Sequence, residues 1–199
     1  MDDDTATEIL GATFRALCQH GCAALTVKDI AAEADRSKAT VHYYYDSREN
    51  LCREFLDFLC ERYTARILDV DGSTPREELD SLLDTVLTDE RQTPGQEFRT
   101  AILEIKAQAP YNDAFRTQLA KFDAVLFDRF REIIAAGIET SEFDSAVEPA
   151  VTAQFLVTGI TGAHARHVAT DRSIDQFSEA ITRCVETDFR AETPVEATR

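Results

Sequence analysis

Apolar residues along this chain recur every three or four positions, the interval that lines one face of an α-helix rather than alternate faces of a strand. Ile9, Leu10, Ala12, Ala16 and Leu17 open the pattern. In front of them Thr5-Ala-Thr-Glu8 has capping-box spacing, and Gly21 is expected to end this first helix. Thr26 is placed to cap a short second helix with Val27, Ile30, Ala31 and Ala34 on one face. Ser37 is placed to cap a third, and Ser47 a fourth that carries Leu51, Phe55, Leu56, Leu59 and Tyr63. After a turn over residues 69–73, Thr74-Pro75-Arg76-Glu77 repeats the capping box, with Pro at the first helical position where its missing amide costs nothing. Thr93-Pro94-Gly95-Gln96 does the same. Pro110 separates a sixth helix from a long seventh, whose stripe is Phe115, Leu119, Phe122, Leu126, Phe130, Ile133 and Ile134 and whose end is assigned to Gly137. Glu148-Pro149 opens an eighth helix to about His167, and Ser173 a ninth ending near Phe189. The pattern predicts an all-α protein of about nine helices. Residues 1–46 form an N-terminal module, 47–190 a helical domain, and the polar stretch 191–199 a frayed tail.

A chain of 199 residues is long enough for a small module plus one sizeable core. No window approaches ~18 uninterrupted apolar residues, so no membrane span is expected. The acidic start MDDDTATEIL lacks the basic and apolar regions of a signal peptide, which leaves a cytoplasmic protein as the expectation. The cysteines Cys18, Cys22, Cys52, Cys60 and Cys184 form no CxxC pair. They read as small core residues, with redox sensing at Cys18/Cys22 or Cys52/Cys60 as the alternative. His164 and His167 stand three apart, but no carboxylate or thiol completes a metal set, and a pocket or subunit seam suits them better. No nucleophile elbow, phosphate loop or metal quartet appears, so neither a cofactor nor a catalytic activity is expected.

The segment that carries chemistry is residues 26–51, TVKDIAAEADRSKATVHYYYDSRENL. Two short helices joined by a tight turn, the second polar and aromatic on its outer face, make a helix-turn-helix pattern over about residues 26–44. Lys38, Ala39 and Thr40, near the start of the second helix, are placed to reach base edges in a major groove, and the small Ala39 permits close approach. His42, Tyr43 and Tyr44 offer flat side chains with polar tips, suited to phosphates and thymine methyl groups, whereas Tyr45 is expected to face the module's own core. Arg48, in the first turn of the fourth helix, marks a phosphate site. Thr26 and Ser37 cap the two helices at this surface, and Lys28 and Arg36 are either DNA contacts or ordinary surface cations.

Charge at first opposes this reading. The chain has a net charge of −16, and acidic proteins are repelled by phosphate at long range. Within residues 26–48, however, Asp29, Glu33, Asp35 and Asp46 are balanced by Lys28, Arg36, Lys38 and Arg48, so the segment is neutral. Elsewhere acids are spread along the chain and Lys is scarce, a composition like that of proteins from salt-loving microbes. At molar salt the Debye length is ~3 Å, and a distant acidic surface hardly opposes DNA.

The run from Leu25-Thr26-Val27-Lys28-Asp29-Ile30-Ala31 through Ala34-Asp35-Arg36-Ser37-Lys38-Ala39-Thr40-Val41-His42-Tyr43-Tyr44-Tyr45 to Ser47-Arg48-Glu49-Asn50-Leu51, preceded by Ile9-Leu10 and Gly21, resembles the TetR-family DNA-binding domain. Gly137, Glu142-Phe143-Asp144 and Glu148-Pro149 are similar to that family's turn before helix 8. Asp35 stands where the family usually has Gly, Arg36 where it has an apolar residue, and His42 where it has Tyr. Asp tolerates the left-handed backbone that such a helix-ending position often needs.

The resemblance implies a regulator that binds a near-palindromic operator on double-stranded DNA, as a homodimer formed through helices 8 and 9. It also implies an effector cavity among helices 4 to 8. From the residues, Phe55, Leu59, Leu82, Val86, Phe98, Ile102, Phe122 and Leu126 suit an apolar or amphipathic effector. Phe155, Thr158, Gly159, Gly162, Ala163 and Arg166 on helix 8, with Ile174, Phe177, Ile181, Cys184 and Val185 on helix 9, suit a four-helix seam. A ligand-responsive repressor is the expected function; a DNA-binding protein without a ligand and, more remotely, a helical enzyme are the alternatives.

Overall fold

The computed structural model describes residues 2–87, 95–170 and 172–188. Among these residues the chain forms α-helices and no strand: α1 Asp2–Ala24, α2 Val27–Glu33, α3 Lys38–Tyr44, α4 Arg48–Leu68, α5 Pro75–Leu87, α6 Gly95–Gln108, α7 Asp113–Glu139, α8 Pro149–Thr170 and α9 Asp175–Asp188. A short 3-10 turn, Ala109–Tyr111, lies between α6 and α7.

The helix boundaries follow local side-chain chemistry. The Ser47 hydroxyl accepts from the Asn50 amide at 3.1 Å at the head of α4. At the head of α5 the Thr74 hydroxyl accepts from the Glu77 amide at 3.2 Å, while the Glu77 carboxylate turns back to the Ser73 amide at 2.9 Å. The Asn112 carboxamide, which the sequence pattern did not single out, caps α7 by accepting from the Ala114 and Phe115 amides. Thr93-Pro94, the tail 191–199 and the end near Phe189 lie outside the described residues.

Two expected boundaries are corrected. α1 begins at Asp2, so Thr5 is inside the helix and caps nothing; a run of acids suits the first turn of a helix and allows this earlier start. Gly21 does break it, with φ 72. Gly137 does not close α7, which continues to Glu139. Ser141 takes the left-handed conformation instead, at φ 60, and the Glu142 and Phe143 amides donate back to the Gly137 carbonyl at 2.9 and 3.0 Å. Gly137 is needed for another reason: a Cβ there would lie 2.1 Å from the Phe143 ring.

The chain packs as two compact units, residues 1–65 with 90–122 and residues 66–89 with 123–199. The first holds α1–α3, most of α4, α6 and the start of α7. Its core joins Ile9, Ala16 and Leu17 of α1 to Ile30, Ala31 and Val41 of the next two helices, to Leu51, Phe55, Leu56 and Leu59 of α4, and to Ile105 and Phe115. Full burial of each large aliphatic or aromatic side chain stabilises by about 1.5–3 kcal/mol. The region 1–46 therefore shares one continuous core with α4, α6 and α7.

In the second unit, Leu79, Leu82 and Leu83 of α5, Phe130, Ile133 and Ile134 of α7, Leu156, Val157 and Ile160 of α8, and Ile181 and Val185 of α9 are all buried. Arg129 anchors this unit by donating to the Val70 carbonyl at 2.7 Å and to Glu78. No helix of the described residues is long and apolar enough to cross a membrane.

Candidate nucleic-acid interface

The local sequence builds the α2–turn–α3 unit almost alone. Thr26 and Asp29 form a reciprocal capping box at the head of α2, with the Asp29 carboxylate accepting from the Thr26 amide at 3.0 Å and hydroxyl at 2.5 Å. The hydroxyl contact comes first among the influences that hold the Asp29 carboxyl below its ordinary range. α2 ends through Asp35, at φ 51, and the Arg36 amide closes the turn on the Ala31 carbonyl at 2.9 Å. An L-residue in this conformation is strained unless, like Asp, it is short and polar. Ser37 then caps α3, accepting from the Thr40 amide at 3.0 Å, and its hydroxyl lies 2.9 Å from that of Thr40.

Buried Ile30, Ala31 and Val41 fix the inner faces of α2 and α3. Tyr45 ends α3 pointing inward: it is buried and its hydroxyl donates to the Ala6 carbonyl of α1 at 3.1 Å. Burial, with Glu54 adding to it, pushes its pKa up to about 12.

This leaves one outward face on α3. Lys38, Ala39, His42 and Tyr43 are exposed, Tyr43 at 77%, while Thr40 and Tyr44 are half-buried. Positions 38 and 42, like 39 and 43, are one helical turn apart, so these residues form a continuous patch. Tyr44 meets Tyr43 edge to face with ring centroids 5.2 Å apart. Lys28 is exposed on α2. Arg36 is held by an ion pair with Glu8 of α1 at 2.8 Å, a long-range contact that the sequence pattern could not reveal. Arg15 does the same for α2, donating to the Glu33 carboxylate at 3.2 Å and carbonyl at 2.9 Å. The Arg48 backbone opens α4; its side chain lies outside the described residues.

The comparisons agree with this geometry. Residues 9–55 match the family described as bacterial regulatory proteins, tetR family, and residues 75–189 match the C-terminal domain of BetI-type transcriptional repressors. A TetR transcription regulator from Haloarcula marismortui is 34% identical, with 94% of this chain and 100% of that chain covered and a TM-score of 0.87. The chain belongs to the TetR family of transcriptional regulators. Its fold also matches a transcriptional regulator from Saccharomonospora viridis in complex with choline, at 20% identity, 96% and 100% coverage and a TM-score of 0.84. A TetR-family regulator from Rhodococcus sp. aligns at 23% identity, 94% and 99% coverage and a TM-score of 0.75. No curated protein matches the sequence. As a TetR-family member this chain is a DNA-binding regulator rather than an enzyme.

The other residues expected of this TetR-family chain are placed as follows. Phe55 and Leu59 are buried in the core of the first unit, to which half-buried Ile102 and Phe122 also belong. Leu82 and Leu126 are buried and Val86 half-buried in the second unit, and the Phe98 side chain lies outside the described residues.

The seam expected on α8 and α9 needs correcting in part. Ile174, Ile181 and Val185 are already buried within their own unit and offer nothing to a partner. Gly159 accommodates Phe177 of the same chain, since a Cβ there would lie 2.7 Å from that ring. What remains outward on α8 is Thr158, Gly162, Arg166 and Phe155 at 59% exposure, joined by Val151 at 62%; Ala163 is half-buried and Cys184 of α9 is exposed. Burial pushes the Cys60 thiol up to about 11, which suits an inert core residue. His167 Nδ1 lies 2.8 Å from the Arg172 carbonyl, and among the described residues no three His, Cys, Asp or Glu side chains group to hold a metal ion.

Proposed function

We propose that this TetR-family chain represses transcription by occupying a near-palindromic operator as a homodimer and leaves it when a small molecule binds. The observation that carries the reading is the exposed α3 patch of Lys38, Ala39, His42 and Tyr43 beside Thr40, set on a helix whose inner face is locked by Val41 and Tyr45. Lys38 and Thr40 read base edges, where each good pair discriminates by ~1–3 kcal/mol. Tyr43, Tyr44 and His42 contact phosphates and thymine methyl groups; Lys28 and Arg48 add phosphate contacts, Arg36 being held by Glu8, and Thr26, Ser37 and Ala39 shape the approach.

Two copies present α3 to successive major grooves only when their recognition helices stand ~34–36 Å apart. The outward stripe Val151, Phe155, Thr158 and Gly162 on α8 repeats every three to four residues and supplies an apolar strip for a second copy, with Arg166, Ala163 and Cys184 near its margin. The effector is an apolar or amphipathic small molecule. The choline complex of the Saccharomonospora viridis regulator, a relative in fold, supports a ligand of this size. A molecule that binds better to the DNA-incompetent state shifts the dimer toward it by that difference in affinity. The net charge of −16 and the resemblance to the Haloarcula marismortui regulator support a protein that works in concentrated salt. Mapping the sites this chain occupies across its genome tests the reading: a repressor gives near-palindromic sites overlapping promoters whose transcripts rise when the gene is deleted. Sites without symmetry, or transcripts that fall, would refute it.

A further inference from the structure

Every oxygen of Glu33, the last residue of α2, takes a donor from α1. Arg15 Nε donates to one carboxylate oxygen at 3.2 Å and Gln19 Nε2 to the other at 2.8 Å. Arg15 Nη2 donates to the Glu33 backbone carbonyl at 2.9 Å. Arg15 and Gln19 stand one turn apart on α1, so one face of that helix supplies all three donors. α2 has no basic residue in its own last turn. The Arg15 guanidinium therefore meets, from another helix, the negative end of α2 and one of the carbonyls that a helix end leaves free.

What this grip holds is the turn into α3. Asp35, two residues on, takes the left-handed conformation at φ 51. That conformation is costly for an L-residue and persists where the surroundings over-determine it. At the far end of α3 the buried Tyr45 hydroxyl donates to the Ala6 carbonyl, again on α1, at 3.1 Å. Turn and helix are thus tied at both ends to α1, whose inner residues Ile9, Ala12 and Ala16 are fully buried. The Arg36–Glu8 pair between these ties is a single contact, with side chains 40% and 51% exposed, and adds little to the hold.

We infer that Arg15, Gln19 and Glu33 are positioning residues for DNA reading, which fix the attitude of α3 without touching DNA themselves. Pairing with base edges by Lys38 and Thr40 depends on that attitude, because hydrogen bonds weaken steeply with distance and angle. Binding to phosphates in general follows charge and does not. Arg is needed at position 15 because its planar fork bonds carboxylate and carbonyl together, whereas Lys carries the same charge as a single point. The inference rests on the reading of α3 given above and adds the side chains that aim it.

The test compares the affinity of the full chain for the mapped operator with that for an unrelated duplex of equal length, by fluorescence anisotropy in potassium chloride. Glu33→Ala removes a negative charge from the module, so charge alone would tighten both complexes. The positioning role gives the opposite sign on the operator: binding about tenfold weaker or more, with the unrelated duplex held no less tightly than by the parent. Arg15→Lys keeps the charge and loses the fork, and should weaken operator binding in the same sense at an unchanged salt slope. Helicity at the assay temperature identifies a variant that fails to fold, and either folded variant decides the matter. Operator binding as tight as the parent's in a folded variant would overturn the inference. So would an equal fall on both duplexes with a shallower salt slope, which would make Arg15 a phosphate contact. If the parent itself does not distinguish the operator from the unrelated duplex, the reading of α3 falls first and the inference with it.

Discussion

Arg36 and Glu8 face each other across 2.8 Å, joining the residue just before the recognition helix to the first helix of the fold. Both side chains are substantially exposed, at 40% and 51%, so the pair contributes at most about 1 kcal/mol to stability. On the proposed DNA-binding reading the pair matters because Glu8 holds the guanidinium that would otherwise be open to a phosphate. Glu8→Gln should therefore tighten operator binding and steepen its salt dependence, by about 0.9 in the log–log slope for each phosphate newly neutralised. Titrations by fluorescence anisotropy over a range of potassium chloride measure both. An unchanged slope would mean that Arg36 faces away from DNA.

Gly137 and Phe143 give a stability prediction. A methyl group at Gly137 cannot fit beneath the Phe143 ring, and overpacking of this kind costs about 1–3 kcal/mol. Gly137→Ala should lower the Tm by several degrees. Adding Phe143→Leu should restore part of that loss. A Tm equal to the parent's would show that the ring is not seated there.

Tyr45 predicts a pH dependence. Its neutral form is favoured in the folded chain, with a pKa of about 12 against 10 for an ordinary Tyr. The associated stability is fully present below pH 10 and is lost as pH rises toward 12, because the unfolded chain releases this proton first. Tyr45→Phe should cost about 0.5–1.5 kcal/mol at neutral pH through the lost bond to Ala6 and should lose less than the parent between pH 10 and 12. Parallel alkaline curves in chemical denaturation would contradict the burial of this hydroxyl.

Phe155 is the position that tests the proposed dimer seam. Gly159→Leu would strike Phe177 of its own chain and could not separate dimerisation from folding. Phe155→Glu changes an outward position on α8 instead. It should give a helical monomer in light scattering at molar salt; a helical variant that stays dimeric would exclude this stripe from the seam.

What could be read from the sequence was what is local. Thr26, Ser37, Ser47 and Thr74 cap their helices because each hydroxyl bonds an amide three residues on, and that spacing is visible in the chain. The outward face of α3 was legible for the same reason. Thr5 misled because Asp2–Asp4 start the helix as readily, and Gly137 misled because a glycine that makes room for a ring looks, in sequence, like one that ends a helix. The apolar stripe of α9 could not reveal that Ile181 and Val185 face their own chain rather than a partner. Glu8–Arg36 and Arg15–Glu33 join residues far apart in sequence and carry no local signal.

The most direct measurement of the central claim is the affinity of the double variant Thr40→Ala/Tyr43→Ala for the mapped operator in molar potassium chloride. At that ionic strength the few Lys and Arg contacts add little, and on the proposed reading binding rests on the α3 patch. The parent should bind specifically, and the double variant should lose that binding while keeping its helicity and the parent's oligomeric state. A double variant that holds the operator as tightly as the parent would show that α3 is not what reads the DNA.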